Sequence, residues 1–211
     1  MTDRHRQYHS PCTMVHIERC TVPCRRSFAE AKAALETAVP LLDRTYQRHL
    51  DSGGLAAAGE ALQMLPTLNR FGAQPRNFGP ILRAVATTVG SQTPSGTIIN
   101  EALQYEIGNP YKAAQMVRLR AQTALYAPIR VALLREGFCS SLQDEKMEEG
   151  TDGLVSADRV WFEYDRPSST MGSTGIREVN EIARGLDGAL HNILVKAAGL
   201  ELKVDRSESK L

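Results

Sequence analysis

Three stretches of the chain set charged or aromatic polar groups among apolar residues and read as short strands, the second of them within an apolar run. They fall at about 102–107, 128–135 and 159–165, around Gln104-Tyr-Glu-Ile-Gly-Asn-Pro110, Ala127-Pro-Ile-Arg-Val-Ala-Leu-Leu134 and Arg159-Val-Trp-Phe-Glu-Tyr-Asp-Arg-Pro167. A β-branched stretch over 14–22 reads the same way. Together they predict one sheet. Side chains alternate across a strand, so parity sorts them into two faces. Val15, Ile17, Leu103, Tyr105, Ile107, Ile129, Val131, Leu133, Val160, Phe162 and Tyr164 form a set that packs on helices. The opposite set, His16, Glu18, Cys20, Gln104, Glu106, Arg130, Ala132, Trp161, Glu163 and Asp165, is polar, yet it holds the only tryptophan.

The spacing changes to a helical period in other segments. Ser27-Phe-Ala-Glu30 has the form of a capping box, in which the serine side chain and the glutamate satisfy each other's backbone N–H groups. Phe28, Ala31, Leu35, Ala38, Val39 and Leu42 then mark one buried face, with Pro40 ending or kinking the helix and 41–50 able to resume it. An Ala-rich helix is predicted over 55–65. Another, over 77–89, carries a stripe of Phe78, Ile81, Leu82, Val85 and Val89, with Pro80 acceptable only in the first turn. Asn109 caps a helix over 111–124, and a long helix spans 175–198 with Gly199 as its terminator. Residues 1–13 and 199–211 read as polar tails, 137–158 as a mobile loop and 43–90 as an insertion. Residues 14–198, insertion and loop included, read as one domain.

With 211 residues the chain is long enough to bury a core. A hydrophobic fraction of 42% and a charged fraction of 23% are ordinary for a globular protein. The net charge of +1 argues against a general nucleic-acid binder. No apolar run reaches the roughly 18 residues of a membrane span, and the N-terminal residues lack a secretory signal, so the default location is cytoplasmic.

Cys12, His16, Cys20 and Cys24 recur every four residues, which would line up metal ligands on a helix. On a strand, however, ligands four apart are separated by about 13 Å, too far to share one ion. Reduced structural thiols are the better reading. His49 suits a helix end and His191 a solvated stripe. Gly108-Asn-Pro could bind phosphate at a helix start but reads more simply as a turn. None of the nucleotide, zinc-protease or serine-hydrolase motifs occurs, and the hydroxyls of Ser168, Ser169 and Thr170 have no histidine placed beside them. No cofactor or metal is expected.

On Tyr105-Glu-Ile-Gly-Asn-Pro110, Tyr126-Ala-Pro-Ile-Arg-Val131 and Val160-Trp-Phe-Glu-Tyr-Asp165, the chain resembles the domain-of-unknown-function 302 family over about 14–198. The capped helix after Thr21-Val-Pro-Cys24 and the closing helix agree in order. The resemblance implies a small α+β domain, often paired into a homodimer, with no assigned activity. The expected fold is therefore α+β: a single mixed or antiparallel sheet, helices mainly on one face, and a helical insertion after the first helix.

Two functions fit this sequence. In the first, the protein binds a small organic molecule, or acts on it by cofactor-independent acid–base chemistry of the isomerase, cyclase or lyase type. Arg130 would position an oxyanion, and Glu106 or Glu163 would move a proton. Trp161 would supply an apolar wall, Tyr105 or Tyr164 would donate a hydrogen bond, and Asn109 would lie with the ligand-binding residues. In the second, the Trp161 face is the interface of a non-enzymatic dimer.

Overall fold

A computed structural model of the chain describes residues 15–42, 68–70, 75–82, 84, 97–138 and 159–201. Six strands make one sheet: β1 (Arg19–Pro23), β2 (Asn69–Arg70), β3 (Arg76–Asn77), β4 (Thr97–Gly108), β5 (Ile129–Phe138) and β6 (Arg159–Asp165). Their order is β1-β6-β5-β4, with the two short strands β2 and β3 sharing the far border of β4. Every ladder is antiparallel, which resolves the expected mixed or antiparallel sheet. Among the described residues, helices α1 (Phe28–Ala38), α2 (Pro110–Leu119), α3 (Pro167–Met171) and α4 (Arg177–Ala197) join this sheet in an α+β fold.

The core lies between the sheet and the helices. Leu103, Tyr105, Ile107, Ile129, Val131, Leu133, Val160, Phe162 and Tyr164 are all buried, as parity predicts for β4, β5 and β6. From the other side α1 contributes Ala31 and Leu35, and α4 contributes Val179, Ala183, Leu186, Leu190 and Leu194 at helical spacing. The capping box forms: Ser27 Oγ accepts from the Glu30 backbone N–H, and the Ser27 N–H donates to Glu30 Oε2 at 3.0 Å. Gly199 follows α4 with φ +76°, a conformation that glycine adopts freely.

The first strand departs from the sequence reading. It begins at Arg19, not near 14, and its inward residues are Cys20 and Val22, opposite Tyr164 and Phe162. Cys20 therefore belongs to the core face and Ile17 is exposed, because pairing with β6, and not the local β-branched run, sets the register. Leu41 does not resume the helix; it bridges to Arg70, and the Leu42 N–H donates to the Arg70 carbonyl. Helix α2 stops at Leu119, short of 124, and a 3₁₀ turn, Ala121–Tyr126, leads to a cis Ala127–Pro128 bond. Thr123 is buried in that turn, where its hydroxyl donates to the Arg120 carbonyl.

Residues 167–171 form a short helix that the sequence reading missed, started by Pro167. At 79–82 the chain is helical with Pro80 in the first turn, but Phe78 and Ile81 are exposed and form no buried stripe. The expected helices over 43–50 and 55–65 and the loop beyond 138 lie outside the described residues. Strand β4 is longer than expected, and a register irregularity between Ile99 and Glu101 separates its first residues from the regular ladder.

Candidate functional site

The sheet face away from the helices is arranged in three rows across the strands. The first is apolar: Ala102, Leu134, Trp161 and Pro23 are successive register partners on β4, β5, β6 and β1. The second contains Gln104, Ala132, Glu163 and Thr21. The third is charged, with Glu106 opposite Arg130 and Asp165 opposite Arg19. Polarity thus rises along the strands from a tryptophan to a cluster of arginines and carboxylates.

Edge strands supply the partners of the carboxylates. Arg76 of β3 lies 3.0 Å from Glu106, and Arg19 of β1 lies 3.0 Å from Asp165 and 3.4 Å from Glu163. The Trp161 indole N–H also donates to Glu163 Oε2 at 3.4 Å. Arg130, on the central strand β5, has no ion-pair partner among the described residues and is exposed. A guanidinium in that state presents a planar fork of donors suited to a carboxylate or carbonyl group.

Arg130 and Glu163 share a recess of about 240 Å³ with Arg19, Gln104, Asp165, Ala132, Leu134 and Tyr164. Glu106 does not line it. A smaller recess of about 70 Å³ lies where β5 begins, among Leu125, Tyr126, Pro128, Ile129, Arg130, Asp165 and Thr170. On the helical side an open cavity of about 270 Å³ is lined by Ile107 to Pro110, Ala113, Met116, Ala127 to Ile129, Met171 and Leu186.

The side chains of Tyr105 and Tyr164 are buried on the helical side, although Tyr164 also borders the recess that holds Arg130. The Tyr105 hydroxyl donates to Glu36 Oε1 at 3.3 Å, while Lys32 and Arg70 hold the same carboxylate at 2.9 and 3.4 Å. Burial first, then the Glu36 charge, pushes that phenol well above its ordinary range. The Tyr164 hydroxyl lies 3.4 Å from His191 Nδ1, and burial followed by the Cys20 thiol raises it likewise. Asn109 is buried and caps α2, its Oδ1 accepting from the N–H groups of Tyr111 and Lys112, and it borders the apolar cavity.

Sequence reasoning missed Arg19 and Arg76, the two arginines that occupy the carboxylates. Arg76 stands in a stretch without periodicity, and Arg19 is separated from Asp165 by 146 positions, so no local pattern marks either pairing. Part of the expected insertion is now assigned: 69–70 and 76–77 build a sheet border. Among the described residues no helix is long and apolar enough to cross a membrane.

No protein-family model matches the chain, and no curated protein matches it. Among solved structures, the fold is similar to that of an uncharacterized conserved protein, DUF302, from Bacillus stearothermophilus, with a TM-score of 0.49 and 13% identity. The likeness covers 85% of this chain and 97% of that one. The DUF302 family is the one that the strand motifs resemble, and the Bacillus protein brings no activity with it.

Proposed function

We propose that this protein binds a small organic molecule on the open sheet face, with Arg130 holding an anionic or carbonyl oxygen. One observation supports the reading above the others: Glu106, Asp165 and Glu163 are each held by an arginine from an edge strand, which leaves the central Arg130 available. The floor of Ala132 and Leu134 offers apolar contact, and Gln104 offers both a donor and an acceptor. If the bound molecule is also turned over, Glu163 is the carboxylate positioned to move a proton, since it shares the recess with Arg130 and Glu106 does not. Such chemistry would be cofactor-independent.

The test is a titration of the protein with small carboxylates and ketones, followed by backbone and side-chain NMR shifts. Binding should perturb Arg130 and Gln104 and weaken at least tenfold in Arg130→Ala. Ligands that bind the variant as tightly as the parent would place the site elsewhere.

A second reading makes this face the contact between two copies of the chain. It is favoured by the apolar row of Leu134 and half-buried Trp161, because Trp and Arg are common anchors of such contacts. Native mass spectrometry of Trp161→Ala separates the two readings. Loss of a dimer in that variant supports the interface, and an unchanged monomer in both proteins removes it.

A further inference from the structure

Resting on the Arg130 reading, we infer that the ligand is an amphipathic carboxylic acid whose aliphatic body turns round the start of β5 into the apolar cavity on the helical side. Ile129 is the first residue of β5, and its neighbour Arg130 points to the opposite face. Neighbouring recesses share lining residues there. Pro128 and Ile129 line both the 270 Å³ cavity and the 70 Å³ recess, while Arg130 and Asp165 line both the latter and the open-face recess. A molecule turning round this end of β5 would pass from apolar walls to a guanidinium.

The chemistry of the walls defines the two ends of the ligand. Met116, Met171 and Leu186 can only make dispersion contacts, and methionine adapts its shape to an irregular chain. Asn109, the polar residue at that end, already accepts two backbone hydrogen bonds as the cap of α2. The inner end of the ligand is accordingly a hydrocarbon. At the outer end Arg130 is the group suited to pair with a carboxylate. At about 30 Å³ per non-hydrogen atom, the inner cavity holds on the order of nine carbons and the smaller recess two or three more.

The experiment is a chain-length series on the full-length protein: linear carboxylates from acetate to dodecanoate, with primary alcohols of equal length, titrated by NMR or calorimetry. Affinity should climb about fourfold per methylene until the cavity is filled, and each acid should bind at least tenfold more tightly than its alcohol. Ala113→Phe, which fills the cavity from α2, should abolish the climb while leaving the shortest acids bound at Arg130. A thermal melt shows that this variant is folded, and Ala113→Leu is the smaller substitution if it is not. Short acids that bind through Arg130 with no gain from added methylenes would overturn the inference and leave the Arg130 site standing. Absence of any Arg130-dependent binding would overturn both. Equal affinity for acids and alcohols would overturn the carboxylate assignment.

Discussion

Arg130 and Glu106 are register partners on adjacent strands, yet the Glu106 carboxylate lies 3.0 Å from Arg76 on the sheet border. Two exposed guanidiniums thus have access to one carboxylate, and an exposed pair contributes only about 0–1 kcal/mol. The choice between them is therefore easily reversed. Arg76→Ala should return Glu106 to Arg130 and weaken anion binding severalfold, while stability changes by less than about 0.5 kcal/mol. A ligand titration and a urea melt of the same variant check both halves of this expectation.

Tyr105 belongs to a different network. Its phenol is buried against Glu36, which also binds Lys32 and Arg70 and so joins α1 to β4 and β2. Tyr105→Phe should cost about 1 kcal/mol, the net value of one hydrogen bond, because the two cations continue to hold Glu36. Ligand affinity should not change, since the ring faces away from Arg130. A variant with unaltered stability but weakened binding would contradict this division of roles.

The half-buried Cys24 gives a pH prediction. Desolvation pushes its thiol up to about 11 from 9.0, so the folded protein retains the proton where the unfolded chain releases it. The contribution is fully present below pH 9 and is lost as pH rises through about 11. Other groups titrate in this window, so the informative quantity is the difference between the parent and Cys24→Ala. The parent's advantage in urea midpoint should shrink between pH 9 and 11, and iodoacetamide should label Cys24 slowly at pH 8. Rapid labelling at pH 8 would show a different environment for the thiol.

Much of the sheet was legible because burial on one face forces alternation. Tyr105, Val131 and Phe162 fall on the buried side as parity requires, and Arg130, Trp161 and Glu163 consequently share the open side. Parity misled in β1, where the apolar Val15 and Ile17 precede the strand and the true inward pair is Cys20 and Val22. There the deciding contact is with Tyr164 and Phe162, far away in the chain, and a local window contains nothing of it. A separation of 30 positions likewise hid the pairing of Arg76 with Glu106. A two-residue strand has no period to read, and which arginine takes a carboxylate depends on the tertiary position of the border. The short helix α3 was missed because Pro167 and three small hydroxyl residues resemble a turn.

The sheet order also bears on how a growing chain acquires this structure. β1 pairs with β6, and the Arg25 N–H donates to the carbonyl of Ala198 while the Arg26 guanidinium donates to that of Ala197. During synthesis the residues of β1 and the start of α1 emerge from the ribosome well over a hundred positions before their partners. The Cys20 and Val22 side chains must wait for Tyr164 and Phe162, and the seam closes only after α4 has been made. β4 and β5 can pair earlier, since the connection between them is short and already helical. The nascent protein can therefore assemble the β2, β3, β4 and β5 side of its sheet first, and its first strand is added near the end.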